Sequence, residues 1–578
     1  MPVAVKPRRS LLLIALLAIL VYANALQAGF TFDDWPDIRR NSAVTGGVDV
    51  LRIFSSPFPP GTLYRPFGVL TFAVNEKFGP GNAAAYHAVN VLLHAAVTVL
   101  VFVLAHRLFR SAQVAQIAGV LFALHPIHTE AVTSLVGRTE LLAALLGLTA
   151  ILSLDHADTV VRPLAQGGWR LFSLTCFMLA LFSKENAMVV LPLALLFRLA
   201  RRGEPLATGC LAQLRSPIWV PFALAAGVYL FLRFHVVGGF MVDSPSLLDN
   251  VLAFVPWTAR IPSALGVLWD YFGLLNLPLV LGADYSYAQV TVGTWTAPRA
   301  VAGLVLVVVA VWAMVRTRRP AVMFTVAFPL VAVSLTSNLL FPIGTVKAER
   351  LLYLPSVGWV LLIAFGFEQL MRVSRYRPIS TGILLLLVGF FAARTWERNG
   401  DWFDDATLDR SMVLSAPNSA KSHYNFGVTL QQQGAVAQAM FHFRRTLEIC
   451  PNRDGAGGAL GIGIIHDEAG RMKEAIQWYE TALDLMPEFS KAHTNLCRAL
   501  LLEGEFNKAS VACRRGLRYD PADANLLKGV GESLIGMGQI DEGTAVLRRA
   551  LRLNARDEPL RALLAELEAS KASSGSGA

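Results

Sequence analysis

Apolar runs recur along the first 393 residues of the chain and then stop. Eleven of them, near 11–28, 87–105, 112–125, 141–154, 169–183, 187–200, 217–232, 300–315, 321–340, 354–371 and 378–393, have the make-up of helices that cross a bilayer. Several fall short of the roughly 20 residues that a spanning helix needs and borrow polar residues at their ends. The first run follows Lys6, Arg8 and Arg9 in the manner of a signal peptide, but so many further spans come after it that it reads as a retained first helix. Beyond residue 393 the apolar positions recur at helical period among charged residues, and none forms a run that could span. The pattern predicts an all-α chain: a polytopic membrane helix bundle of about 11 spans over 1–395, a linker over 396–419, and a helical array behind it.

The array repeats. Pro451, Pro487 and Pro521 recur at intervals of 34 to 36 residues, and Gly427, Gly463 and Gly531 hold one register position that Cys497 takes in the third unit. Gly434, Gly470, Gly504 and Gly538 mark a turn inside each unit, and Ala439, Ala475, Ala509 and Gly543 are the small residues that let paired helices approach. This spacing resembles the tetratricopeptide repeat, a helix-turn-helix of about 34 residues. Four repeats fit, at 420–453, 456–489, 490–523 and 524–557, followed over 558–578 by a capping helix, "EPLRALLAELEAS", and a disordered tail, "SKASSGSGA". Such arrays grip peptide on a concave surface.

Composition narrows the class. With 54% hydrophobic and 16% charged residues, and a mean hydropathy of +0.49, the chain is too apolar for an ordinary soluble protein. The surplus of positive charge, +10, reads as membrane orientation, and no nucleic-acid partner is expected. "HRLFR" (106–110), "RLARRG" (198–203), "RTRR" (316–319) and "RVSRYR" (372–377) share the cytoplasmic side with the amino terminus. Loops 30–86, 125–140, 184–186, 233–299 and 341–353 then face outward with the array, provided that 251–285 is interfacial or re-entrant. The five cysteines are scattered and none forms a CxxC pair, so neither a disulfide nor a zinc site is expected.

The outward loops carry the candidate chemistry: "FDDWPDIRRN", "YRPFG", "HPIHTEAVTSLVGRTE", "SKEN", "ADYSY" and "VKAERLLYLPS". Ionisable groups at the ends of membrane helices usually mark a site. Asp33 and Asp34 offer a general base or a cation site, while Arg65, Arg138, Lys184 and Arg350 offer a clamp for phosphate oxygens. His125, His128, Glu130, Glu185, Asp284, Glu349 and Tyr353 are further candidates. No cofactor is certain. A divalent cation at Asp33 and Asp34 is one possibility, for which Asp37, Glu130 or Asp284 would supply further oxygens, and a zinc at His125 and His128 lacks an evident third ligand. Both signs of charge at a bilayer surface fit glycosyl transfer from a lipid phosphate, whose tail lies between helices.

The order "FxFDD", "YRP", "HPIHTEAV…GRTELL", "SKE", "NLLFPIG…AERLLYLPS" and then tetratricopeptide repeats resembles the transmembrane-and-tetratricopeptide O-mannosyltransferase family, over nearly the whole chain. That resemblance implies a GT-C glycosyltransferase fold and an inverting transfer of mannose from a dolichyl- or polyprenyl-phosphate donor to Ser or Thr hydroxyls of exported proteins. It also implies that Asp33 and Asp34 form the acidic motif of the first outward loop, with Arg138, Lys184 and Arg350 around the donor phosphate. The repeats are fewer than in animal members, and no N-x-S/T sequon occurs, which favours a bacterial inner membrane over the endoplasmic reticulum. Two other readings stay open: a membrane scaffold for an envelope or secretion complex, and a transporter or ligase for lipid-linked glycans.

Overall fold

The structure is a computed structural model that describes residues 7–58, 63–204, 206–239 and 246–575. Among the described residues the regular structure is helical, with an isolated bridge between Phe58 and Leu63 and no strand. The chain forms two units, Met1–Ser286 with Val290–Ala416, and Tyr287–Gln289 with Pro417–Ala578.

In the first unit a helix occupies each apolar run: Pro7–Val21, Ala83–Phe109, Ala112–Leu124, Arg138–Ala157, Pro163–Ser183, Val190–Arg202, Val220–Val237, Pro298–Arg316, Pro320–Ser334, Pro355–Arg372 and Arg377–Gly400. Among the described residues, Ala83–Phe109, Arg138–Ala157, Pro217–Val237, Pro298–Arg316 and Arg377–Gly400 are long and apolar enough to cross a membrane. Local chemistry sets their starts. Asn82 and Ser111 accept hydrogen bonds from Ala85 N and Val114 N, and proline fills the first turn of several others, where its missing N–H costs nothing. Arg138–Ala157 is buried over most of its surface, whereas Pro298–Arg316 exposes Leu304, Val305, Val308, Val309, Trp312 and Val315. An apolar face of that extent needs lipid, not water.

Within 251–285 the chain forms the helix Trp257–Asn276. Asn250 donates to Asn338 Oδ1 at 2.9 Å and to Ile343 O, Lys347 reaches Asp270 at 3.3 Å, and Leu275 O meets His125 Nε2 at 3.0 Å. Both flanks of this helix are thus tied to segments that surround the candidate site.

The stretch 396–419, expected as a linker, is helical over most of its length. Arg377–Gly400 continues through the start of that stretch, and Asp404 then caps a new helix, Asp405–Ser415, through a reciprocal pair of bonds with Thr407. Trp402, Leu408 and Met412 are buried together with Phe32 and Ala283 packed on them, so the stretch as far as Ala416 packs within the first unit. The last helix, Glu558–Gly575, also runs past the start of the expected tail at Ser570, and 576–578 lie outside the described residues.

The second unit stacks helix pairs: Ala420–Gln432 with Val436–Ile449, Ala456–Glu468 with Met472–Leu485, Ser490–Leu502 with Phe506–Gly516, and Ala524–Gly536 with Ile540–Leu553. Gly434, Gly470, Gly504 and Gly538 turn each pair at φ of 76°, 71°, 73° and 80°, a left-handed conformation that glycine adopts without a Cβ clash.

One register position disagrees with the expectation of no disulfide. Gly427, Gly463 and Gly531 lie against the large side chains of Phe443, Tyr479 and Leu547, and a Cβ at any of the three would meet them at 2.5–2.8 Å. In the third repeat both positions are cysteine, and Cys497 and Cys513 form a disulfide with Cα atoms 5.4 Å apart. The helix pairing that brings Gly to Phe elsewhere brings sulfur to sulfur here. Closing a loop of this size stabilises by about 3 kcal/mol in the chain-entropy account. Labelling of the denatured, unreduced protein should therefore modify Cys176, Cys210 and Cys450 alone, and Cys513→Ser should lower the melting temperature of the array. Alkylation of Cys497 without reductant would refute the bond.

Candidate functional site

The loop after the first helix is pinned from three directions. Asp34 is 1% exposed and accepts from Thr31 N at 3.0 Å and from Val136 N at 3.1 Å. Asp405 accepts from Phe32 N at 2.8 Å and from the Trp35 indole N–H at 2.9 Å. Gly29 N donates to Phe403 O at 2.9 Å. Between these anchors Phe32 sits at a φ of 49°, which a residue with a bulky side chain seldom adopts. The turn sends adjacent carboxylates opposite ways: Asp34 inward, Asp33 outward, exposed and with no side-chain hydrogen bond among the described residues. Asp34 is therefore an acceptor that shapes the loop, and Asp33 is the carboxylate open to its surroundings.

Asp33 O accepts from Asp37 N at 3.1 Å, one turn on, in the π-helical turn Trp35–Arg39. Asp37 is buried and faces the same charges. Burial, with Asp33 beside it, pushes its carboxyl up to about 8 against the pull of Arg65 and Arg350. Burial also pushes Asp34 up to about 7, opposed by its two N–H donors.

Three cations gather here, each on a carboxylate. Arg65 holds Glu185 through two bonds, Nε to Oε2 at 3.0 Å and Nη2 to Oε1 at 2.7 Å. Lys184, 5% exposed, donates to Glu140, which also accepts from Asn186. Arg350 meets Glu130 twice, through its backbone N at 2.8 Å and through Nη1. Burial lifts Glu185, but Arg65 outweighs it and the carboxyl falls to about 2. Burial likewise works against the charge on Arg350, and the Glu130 and Asp33 carboxylates outweigh it, holding the guanidinium above its usual range. The Arg350 side chain is 34% exposed, against 11% for Arg65 and 7% for Lys184, so it is the cation that most readily meets a ligand.

Arg138 stands apart from the phosphate clamp expected of it. It is fully buried, with Nε on Asn90 Oδ1 at 2.9 Å and Nη2 on Asn75 Oδ1 and Tyr86 O, and its plane covers the Phe72 ring. Asn90 in turn donates to Val132, Ser134 and Leu135 carbonyls. Arg138 thus holds the segment that presents Val136 N to Asp34, and four of its five N–H donors are engaged within the bundle. His125 and His128 are also consumed, on Leu275 O and Ile127 N, and on Phe122 O and Ser356 Oγ. Glu349 accepts from Gly282 N and Tyr285 OH and lies 3.8 Å from Arg398. Asp284 accepts from Ser286 Oγ at 2.7 Å, and Tyr353 OH meets His94 Nδ1 at 2.9 Å. These groups brace the end of the bundle that carries the Asp33 loop.

A divalent cation bridging Asp33 and Asp34 does not fit this arrangement, because both Asp34 oxygens already receive N–H donors and the two side chains diverge. Among the described residues no three His, Cys, Asp or Glu side chains converge as a metal site would require.

Comparison with known proteins extends the reading beyond the site. The tetratricopeptide repeat model matches residues 468–530 and 500–567. The chain is 28% identical over 504 residues to the Homo sapiens protein O-mannosyl-transferase TMTC3, covering 81% of this chain and 54% of that one. It is 30% identical to the Caenorhabditis elegans protein O-mannosyl-transferase F38B6.6 (77% of this chain, 63% of that one) and 30% identical to Homo sapiens TMTC1 (79% and 57%). The chain is similar to protein O-mannosyl-transferases over 77–81% of its length. It spans between half and two thirds of the length of those relatives. Among solved structures, the crystal structure of MamA overlaps 26% of the chain at a TM-score of 0.23 and 18% identity, too little to carry an argument.

The buried acid at position 37 has a measurable consequence. A carboxyl raised from an unfolded value of 3.8 to about 8 binds its proton more tightly in the folded state, so folding stability falls as pH rises from near 4 to near 8. Asp37→Asn removes that dependence. Its melting temperature should gain on the unmodified protein as pH rises from 5 to 8.5, and a gain that is flat or shrinks with pH would contradict the assignment.

Proposed function

We propose that the chain is a membrane glycosyltransferase that moves a sugar, mannose, from a polyprenyl-phosphate donor to Ser or Thr hydroxyls of exported proteins. The observation that carries this is an exposed Asp33 carboxylate, free of side-chain hydrogen bonds among the described residues, beside a cluster of cations of which Arg350, about one-third exposed, is the most accessible and feels the Asp33 charge. Asp33 takes the proton of the acceptor hydroxyl as its oxygen attacks the anomeric carbon. The phosphate leaves from the opposite face with the bonding pair, and Arg350, backed by Arg65, meets the charge that gathers on it. The configuration inverts and the products are glycosylated protein and polyprenyl phosphate. The names of the homologues support the mannosyl assignment. The buried Cys497–Cys513 bond supports an oxidising, extracytoplasmic compartment for the array.

Purified protein incubated with radiolabelled polyprenyl-phosphate mannose and a Ser/Thr peptide should yield labelled peptide. Absence of transfer from this and a panel of related donors would favour a scaffold. The array is read as the acceptor grip, so deleting 420–578 should spare transfer to the short peptide and weaken modification of full-length exported protein. Equal loss with both acceptors would make the array structural.

A further inference from the structure

The helices Arg138–Ala157 and Pro163–Ser183 run antiparallel, each about 30 Å long, with Glu140 and Lys184 at one end. At the far end, across the thickness of the bundle from Asp33, lies a cavity of about 1040 Å³ whose lining includes Asp158, Arg170, Arg198 and Arg202. Its charges do not balance locally. Asp158 is shared, taking Arg198 Nη1 at 3.2 Å and Arg202 Nη2 at 3.1 Å, and Glu204 takes Arg202 at 3.6 Å and two contacts from Gln213. Arg170 is exposed and has no acidic partner among the described residues. Arg198 is 5% exposed, stacked 5.8 Å over the Trp219 ring, and its Nε–H has no acceptor. A buried donor left unmade costs stability, which an anion in the cavity would recover. Gln166, Gln213 and Ser216 add polar groups to the wall, and Leu171, Leu174, Pro221 and Phe222 form an apolar stretch of it.

We infer that this cavity binds a phosphate ester, the headgroup of an anionic phospholipid. Arg170 and Arg198 hold the phosphate oxygens, and the acyl chains lie against Leu171, Leu174 and Phe222. Basic pockets between membrane helices on the positively charged face take such headgroups, guanidinium is suited to phosphate, and the volume reaches the upper range of ligand sites. The site is independent of the sugar-transfer reading.

The test uses the full chain in a neutral detergent, titrated with short-chain phosphatidylglycerol, phosphatidylcholine of the same chain length, or inorganic phosphate, with the melting temperature read at each step. Phosphatidylglycerol should raise it, and the other two should not. Arg170→Ala, at an exposed position that folding tolerates, should need about tenfold more phosphatidylglycerol for the same shift. Arg198→Lys, which keeps the charge but loses the Nε–H, should weaken the response as well. An equal shift with phosphatidylcholine, or an unchanged response in both variants, would overturn the proposal. An equal shift with inorganic phosphate would overturn the lipid assignment.

Discussion

Asp33→Asn should leave expression and melting temperature near those of the unmodified protein and lower sugar transfer by about 100-fold or more. The side chain is exposed and bonds to nothing among the described residues, so the fold does not need its charge. An amide of the same size cannot take the acceptor proton. Asp34→Asn is the control next door, because its carboxylate receives Thr31 N and Val136 N and an amide satisfies only one of those donors well. That change should cost about 1–3 kcal/mol of stability and lower activity through the displaced loop. If Asp33→Asn turns over within a few-fold of the unmodified enzyme, the base is elsewhere.

Glu140→Gln should be among the most destabilising single changes near the site, at about 3–5 kcal/mol. Lys184 is 5% exposed and Glu140 3%, so loss of the carboxylate leaves a buried ammonium whose bonded partner is an amide. A double replacement, Glu140→Leu with Lys184→Met, removes both charges and should recover most of the stability. The double variant also separates two roles for Lys184. If it folds and transfers sugar, the lysine is a strut. A folded but inactive double variant would mean that Lys184 touches the donor. Thermal unfolding and transfer assays on the two proteins decide it.

Much of the architecture was legible because the bilayer and the repeat each impose a period. Helices lie at the apolar runs, and the repeat turns fall on glycine at positive φ. What periodicity does not carry is which of several like residues faces the ligand. Asp33 and Asp34 are the same residue side by side, and their division of labour is set by Val136 N, about a hundred positions along the chain. Arg138 and Arg350 both stand in charged stretches of the sequence, but one has Asn75, Asn90 and Tyr86 O around it and the other has Glu130 and an open side. Asp405 was missed because its stretch is rich in charge and short of apolar runs. Its signal was the cap written in "DDAT", Asp404 to Thr407, which announces a helix start. The disulfide had a signal too: Cys497 stands at the register position of Gly427, Gly463 and Gly531, and Cys513 at that of Phe443, Tyr479 and Leu547.

That last register has a meaning for engineering and for descent. The pair of positions is a standard socket, one per repeat, that accepts either of two interchangeable fittings: a vacancy filled by a ring or a leucine, or a covalent rivet. A lineage can pass between them only by changing both members, since a lone cysteine opposite a phenylalanine would collide and a glycine opposite a cysteine would leave a hole. The neighbouring repeat has to cooperate, for Gly529 packs so closely on both sulfurs that a Cβ there would lie 2.2 Å from Cys497 Sγ. The rivet is therefore a three-residue cassette, and a designer wishing to transplant it to another repeat would have to carry all three parts.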